Sequence, residues 1–434
     1  MNRSRSDQRD YTLQLRAAMR RYLPWRGLPL LGAGRWTDRL LVMVMLLMVF
    51  ASSPTLQDRL AEARTAVVTM YVSRRRPGTS YGGFIKKLRK HSARLLDLVI
   101  QTLRQRLRAS AGGHWKVGRF LAFGVDGSKS DAPRTRANQQ TLKIGGKRKS
   151  GPQQLLVTLM HVGTGLPWSW RRGEATASER SLFLQQLGTL PGAVLLLMDA
   201  GFTGYDLLAQ LLACGHQVLV RAGANVTLLR KLGWVLEEHG DLVYLWPEMA
   251  QRHKGQPLVL RRIVVVDGRN RRMCLLTNLL EKDLSVAEAV ELYQRRWGIE
   301  VLYRGLKQTL GRRKMLSDNP LNAGVELDWT MAGYWMLGLL LWERRREKLA
   351  VGCGVAAALR LVRQAMAGHG DQRSCFAAAW QSLTVDRYRR RRPKAARDWP
   401  HKKNEPPCGT PKVRMATRRE IQRAQRLARL RAAA

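Results

Sequence analysis

The sequence predicts an α/β protein, and three observations carry the prediction. From Arg119 onward, short apolar strands alternate with helical stretches. A block of brief strand-like segments with Gly or Asn turns interrupts that alternation at about residues 223–278. Before it, residues 1–115 carry helical patterns only. The expected organisation is a helical N-terminal region (1–115), an α/β domain (116–345) with its β-rich insertion, and a helical, basic C-terminal region (346–434).

The N-terminal region reads as helices. Leu40 to Ala51 is an apolar run of 12 residues, short of the ~20 needed to span a bilayer, so a buried helix is expected. Ser53 and Pro54 read as an N-cap followed by a first-turn proline, with a helix from Thr55 to Tyr71. A basic turn follows, and an amphipathic helix runs from Gly83 to about Arg108. These helices suit a role in binding DNA ends and equally a structural cap.

In the second region, Phe120 to Val125 is an apolar strand that ends at Asp126. Residues 129–152 are polar and basic and read as a loop, in which Lys147-Arg148-Lys149 is either a phosphate contact or a solvated run. Gln154–Val162 and Leu166–Arg171 form a hairpin across Gly163-Thr164-Gly165. A helix over 178–190 leads to a strand, Ala193 to Met198, that ends at Asp199; a helix over 205–214 and a strand over 217–221 complete the run. The insertion offers strands at 226–227, 235–236, 242–246, 258–266 and 273–277. Ser285-Val286-Ala287-Glu288 is a capping box that starts a helix, and Gly311 stops it. The tail carries Arg389-Arg390-Arg391-Arg392, several prolines and a final basic helix, an arm suited to phosphate without base recognition.

Composition narrows the function. The chain has 434 residues, with 76 Lys plus Arg against 32 Asp plus Glu, a net charge of +44. Such a surface repels itself unless a polyanion neutralises it, and nucleic acid is the commonest. The basic residues run through the whole chain instead of lining one amphipathic helix, which disfavours a membrane surface. Five cysteines (214, 274, 353, 375, 408) show no CxxC spacing, so neither zinc nor disulfide chemistry is expected and the thiols read as reduced. The N-terminus lacks a signal-peptide layout, and a cytoplasmic, nucleoid-associated protein is expected.

Two aspartates at strand ends, Asp126 and Asp199, stand where ligands and catalytic groups collect in α/β sheets. Either alone could simply cap a turn. Downstream, Tyr293, Arg296, Glu300, Arg304 and Lys307 fall within an arc of about 80° on a regular helix at about 100° per residue. That face could be a solvated one with i,i+4 pairs. Joined to the two aspartates, Glu300 instead completes a carboxylate trio able to hold two hard cations about 4 Å apart for phosphodiester chemistry.

Asp126, Asp199 and Glu300, with the string Tyr293-x2-Arg296-x3-Glu300-x6-Lys307, resemble the DDE transposases of bacterial insertion sequences, in the large group whose signature is written YREK. Further likeness lies in Asp199-Ala200-Gly201-Phe202, Leu276-Thr277-Asn278-Leu279 and Arg295-Arg296-Trp297-Gly298-Ile299-Glu300, over about residues 116–345 and more weakly in the tail. The resemblance implies an RNase H-like fold with a β-rich insertion between the second Asp and the Glu. It implies that Asp126, Asp199 and Glu300 hold two Mg²⁺, with Mn²⁺ able to substitute. It implies that Tyr293, Arg296 and Lys307 contact DNA phosphates, with Arg304 of the same helix face a further DNA-binding candidate, and that an aromatic in the insertion stacks a flipped base. Trp234 and Trp246 are the candidates for that stacking, although a buried Trp is more often core.

The implied reaction is hydrolysis at the element's ends, often through hairpins, then strand transfer into a target. Its partners are double-stranded DNA, at the terminal inverted repeats and the target, and a second copy of the chain on that DNA. The rival readings are a DNA-binding protein without catalysis and an RNase H-like nuclease that cleaves without rejoining.

Overall fold

A computed structural model describes residues 15–28, 34–71, 76–145, 151–266, 272–346, 354–367 and 409–432. Lys147, Arg148, Lys149 and the four-arginine run at 389–392 lie outside them, as do Cys353, Cys375 and Cys408.

After a helical stretch at 15–22, three long helices follow: α1 (Asp38–Phe50), α2 (Leu56–Met70) and α3 (Tyr81–Ala111). The apolar run is the buried helix expected, with every residue from Leu41 to Phe50 enclosed. No described helix is long and apolar enough to cross a membrane. The second N-cap differs from expectation: the Thr55 hydroxyl accepts from the Asp58 amide, so Pro54 precedes the helix. A Thr with extended backbone satisfies a first-turn donor, a role Ser53 cannot play from two residues back.

The α/β region begins with β1 (Ala122–Asp131) and α4 (Arg136–Leu142). Both depart from the expected loop. Asp126 does not end its strand, because β1 continues to Asp131 through an antiparallel ladder with β2 (Gln153–His161). Polar residues there reflect a strand with one wet face, not a loop. The chain continues through β3 (Leu166–Glu174), α5 (Glu179–Leu184), β4 (Leu195–Met198), α6 (Tyr205–Ala213) and β5 (Gln217–Ala222).

The insertion supplies β6 (Thr227–Arg230), β7 (Leu242–Leu245), α7 (Glu248–Arg252), β8 (Leu258–Val266) and β9 (Arg272–Thr277). No strand forms at 235–236, where Leu236 is fully exposed. The insertion is not a separate layer. One ten-stranded sheet runs β10-β6-β7-β8-β9-β5-β4-β1-β2-β3. Within it β3-β2-β1 form an antiparallel meander, and β1, β4 and β5 are parallel. That 3-2-1-4-5 order is the RNase H-like arrangement, and β9 extends it by pairing antiparallel to β5.

Beyond the sheet come α8 (Val286–Arg295), α9 (Gly298–Arg304) and a π-helical turn at Gly305–Thr309. The capping box at Ser285 and Glu288 is present as expected. The single regular helix is not. Around Arg296 and Trp297 the bonds tighten to i+3, as in Ile299 N to Arg296 O (3.0 Å) and Glu300 N to Trp297 O (3.1 Å). The chain then loosens to Leu310 N bonding Gly305 O. A Cβ at Gly305 would strike the Tyr334 ring, so the helix widens where the next one presses on it.

The neighbour that presses there is α10 (Pro320–Arg346), which is buried over most of its length and packs against α1, α3 and β3. The N-terminal helices therefore share one hydrophobic core with the sheet. After it come α11 (Val355–Ala367), β10 (Lys412–Met415) and α12 (Arg418–Ala432). The final basic helix is not a loose arm: β10 pairs parallel to β6, and Ala424 of α12 is buried in a second small core with Leu229, Tyr244 and Trp246.

Candidate active site

Sheet register brings the two aspartates together. Gly124 of β1 stands opposite Leu197 of β4. Two residues further along each parallel strand lie Asp126 and Asp199, level with one another at the edge where β4 ends. Each carboxylate is fixed by a nearby amide: Asp126 Oδ1 accepts from Gly127 N and Asp199 Oδ1 from Gly201 N, both at 2.8 Å.

Burial pushes the Asp126 carboxyl up to about 6; the Gly127 amide and Arg296 oppose the rise, and the charges of Asp199 and Glu179 add to it. Glu179, the first residue of α5, is likewise raised by burial and by Asp199, against Lys129. Nothing in its sequence context marks it. Its approach depends on Gly127, where a Cβ would collide with the Glu179 carboxylate.

The helical string reaches the same place from above. Tyr303 of α9 donates to Asp126 O (2.7 Å) and to Leu156 O (3.1 Å), tying that helix to β1 and β2. Arg296 is 8% exposed, lies 5.5 Å from the Tyr293 ring and donates to Glu300 Oε1 at 3.4 Å. Burial lowers Lys307, and Arg313 adds to the fall, while the charges of Asp131 and Asp126 oppose it. Arg304 is exposed. At this site Arg296 Nε and Arg221 Nε are buried without a hydrogen-bond partner among the described residues. Arg221 is the last residue but one of β5, after Val218-Leu219-Val220 and beside Tyr293, and a charge in that setting is a signal present in the sequence.

Other candidates separate from this group. Trp246 is 3% exposed with its indole N–H bonded to Gly255 O (2.7 Å), and Trp234 packs against the same small core. Trp246 is thus a core residue, its side chain enclosed between the insertion and α12. Asp131 accepts from Gln153 at 2.7 Å. Cys214 and Cys274 are free thiols, Cys214 exposed and Cys274 buried.

Residues 121–336 match the transposase DDE domain family. They are a transposase DDE domain. Over 212 residues the chain is 31% identical to transposase InsG for insertion sequence element IS4 of Escherichia coli strain K12, covering 46% of this chain and 47% of that protein. The chain thus spans about half the length of this curated relative. It also resembles the piggyBac transposase in a cryo-EM synaptic complex with hairpin DNA, at 11% identity and a TM-score of 0.42 over 89% of this chain and 81% of that one.

DDE domains generally use divalent metal ions. The donor chemistry of this one fits a hard cation. Asp126 and Asp199 offer carboxylate oxygens side by side; burial is the main cause of the raised Asp126, and the nearby charges of Asp199 and Glu179 add to it. Glu300 is held by Arg296 in this arrangement, and no group of three His, Cys, Asp or Glu side chains among the described residues forms a metal-holding set.

Proposed function

We propose that the protein is a DNA transposase that cleaves at the ends of its element and joins them to target DNA. The observation that carries the reading is the level placement of Asp126 and Asp199 at the β1/β4 edge, with the Glu300 helix bonded to Asp126 through Tyr303. Asp126, Asp199 and Glu300 are the ligands for two Mg²⁺, with Mn²⁺ as a substitute. When bound, the ions supply Lewis-acid activation of the attacking and leaving phosphate oxygens.

The chain's own groups position the DNA. Arg296 and Arg221 each hold a buried, unpartnered Nε that suits a phosphate oxygen. Lys307 adds a point charge next to Asp126, Tyr293 adds a hydroxyl, and exposed Arg304 extends the basic face outward. Two DNA ends must be held together, so the working form is a homodimer on terminal repeats and target.

The test is Mg²⁺-dependent cleavage of a labelled duplex carrying the sequences that border the gene, for native protein and Glu300→Gln. Boundary nicking by the native protein, with equal binding but no nicking by the variant, is the expected result. Binding without nicking by both would leave a DNA-binding protein without catalysis. Nicking without joining to a target plasmid would leave a nuclease.

A further inference from the structure

A cavity of about 760 Å³ opens between the insertion and the C-terminal β10–α12 unit, with Thr203, Gly204 and Tyr205 at its inner end. Those residues follow directly on the Asp199 turn, so the cavity and the carboxylates share one stretch of chain. The opposite wall includes Asn225 and Thr227 of the insertion, and Arg419 and Arg423 of α12.

The charges in this cavity are unequal in their commitments. Its two acids are taken: Glu420 by Arg414 in a two-pronged pair (2.7 and 2.8 Å), and Glu248 by Arg252 (2.6 Å). Arg414 is therefore a strut. Arg423 donates to the neutral Gln251 Oε1 (3.0 Å) and keeps its charge uncompensated. Arg419 has no hydrogen bond or ion pair among the described residues and is exposed. On α12, residues 419, 423 and 426 fall within an arc of about 60°, one arginine stripe along the cavity rim. Arg418 and Arg429 form a second stripe about 100° round the helix, away from the cavity.

We propose that this cavity binds a single DNA strand leaving the Asp199 side of the site, its phosphates held by Arg419 and Arg423. The inference rests on the transposase reading for the origin of that strand. A volume of this size suits a small ligand; a few nucleotides of one strand enter it and a double helix does not. Asn225 and Thr227 add neutral donors for sugar and phosphate oxygens. The occupant is a nucleic-acid strand because the walls set the guanidinium groups of Arg419 and Arg423 beside apolar surface from Leu245 and Trp246, with both carboxylates already paired.

The experiment measures binding of full-length protein to a 20-nucleotide oligo-dT strand and to a 20-base-pair duplex of arbitrary sequence, across a salt series (probe lengths of about two helical turns). The variants are Arg419→Gln/Arg423→Gln at the rim and Arg418→Gln/Arg429→Gln on the outer stripe. Losing two strand contacts lowers the salt slope by about 1.4, at about 0.7 per phosphate of single strand. The expected result is that loss for the rim pair on oligo-dT, with the duplex slope and the outer pair little changed. Arg419→Gln alone, which breaks no hydrogen bond, is expected to show about half of it, and unchanged melting temperatures exclude misfolding. Equal losses for rim and outer pairs would overturn the proposal in favour of diffuse charge. A rim effect on duplex alone would overturn single-strand occupancy. Cleavage is scored separately: no nicking by native protein, with the rim-pair loss of slope observed, fails the transposase reading only, and nicking with no loss of slope in the rim pair fails the cavity only.

Discussion

The Tyr303 hydroxyl donates to the main-chain oxygen of Asp126 at 2.7 Å, across 177 residues of sequence. One phenol thereby couples the helix bearing Glu300 to the strand bearing Asp126, with a second bond to Leu156 on β2. Tyr303→Phe keeps the ring and removes both bonds. We expect a stability loss of about 1–2 kcal/mol and a fall in cleavage rate of at least about tenfold, since small misplacements at reacting centres are costly. Denaturant titration beside single-turnover cleavage checks this; an unchanged rate would show that the bond does not set the geometry.

Asp126 predicts a conflict between stability and function. Its carboxyl is raised from 3.8 to about 6 in the folded protein. The folded state therefore binds more protons than the unfolded chain between those values, and stability falls as pH rises from about 4 through about 6. The difference amounts to at most about 3 kcal/mol at pH 7. Asp126→Asn is expected to melt higher than native protein at pH 7.5 without divalent cations, to match it below pH 4, and to cut no DNA. Adding Mg²⁺ is expected to raise the native melting temperature more than that of the variant. A variant less stable than native at pH 7.5 would contradict the assignment.

His161 carries the opposite dependence. It is fully buried, stacked on Trp115 with ring centres 4.9 Å apart, and bonded to Trp115 O (3.0 Å) and the Thr164 hydroxyl (2.9 Å). Burial lowers it from 6.5 to about 4, so it folds neutral. The unfolded chain then takes up a proton between 6.5 and 4 that the folded chain refuses, and stability is lost as pH falls through that window. His161→Gln is expected to cost stability at pH 7.5 and to flatten the loss between pH 6.5 and 4.5; a parallel loss in both proteins would assign the titration elsewhere.

Glu326 of α10 is 3% exposed, accepts from the amides of Leu316 and Ser317 and from the Ser317 hydroxyl, and forms an ion pair with the buried Arg312 guanidinium (3.2 Å). This carboxylate pins the chain that follows Lys307. Glu326→Ala strands a buried cation and two amides, and a loss of about 3–5 kcal/mol is expected. Adding Arg312→Met removes the cation and is expected to recover only part, because the amides stay unmatched. Full recovery would mean that the charge alone mattered.

Much of the site is legible in the residues themselves. A carboxylate after an apolar run, a second after another, and a capped helix with a third are local patterns, and they single out Asp126, Asp199 and Glu300. The same holds for the buried apolar helix α1, the capping box at Ser285 and most insertion strands, since periodicity and caps are written in neighbouring residues. Apolar runs end where burial ends, however, and β1 runs on past Asp126 because its partner β2 supplies a ladder for polar residues.

The amino-acid sequence by itself determined the cationic charge of this protein, the three candidate carboxylates and the order of most of its elements. Only the tertiary structure decided that Asp126 and Asp199 are level, that Glu179 joins them across Gly127, and that a strand at 412–415 closes the sheet beside 227–230. Each of these is a pairing between segments remote along the chain. Local periodicity reports which face of a segment is buried, and the partner it is buried against is set by sheet register and packing.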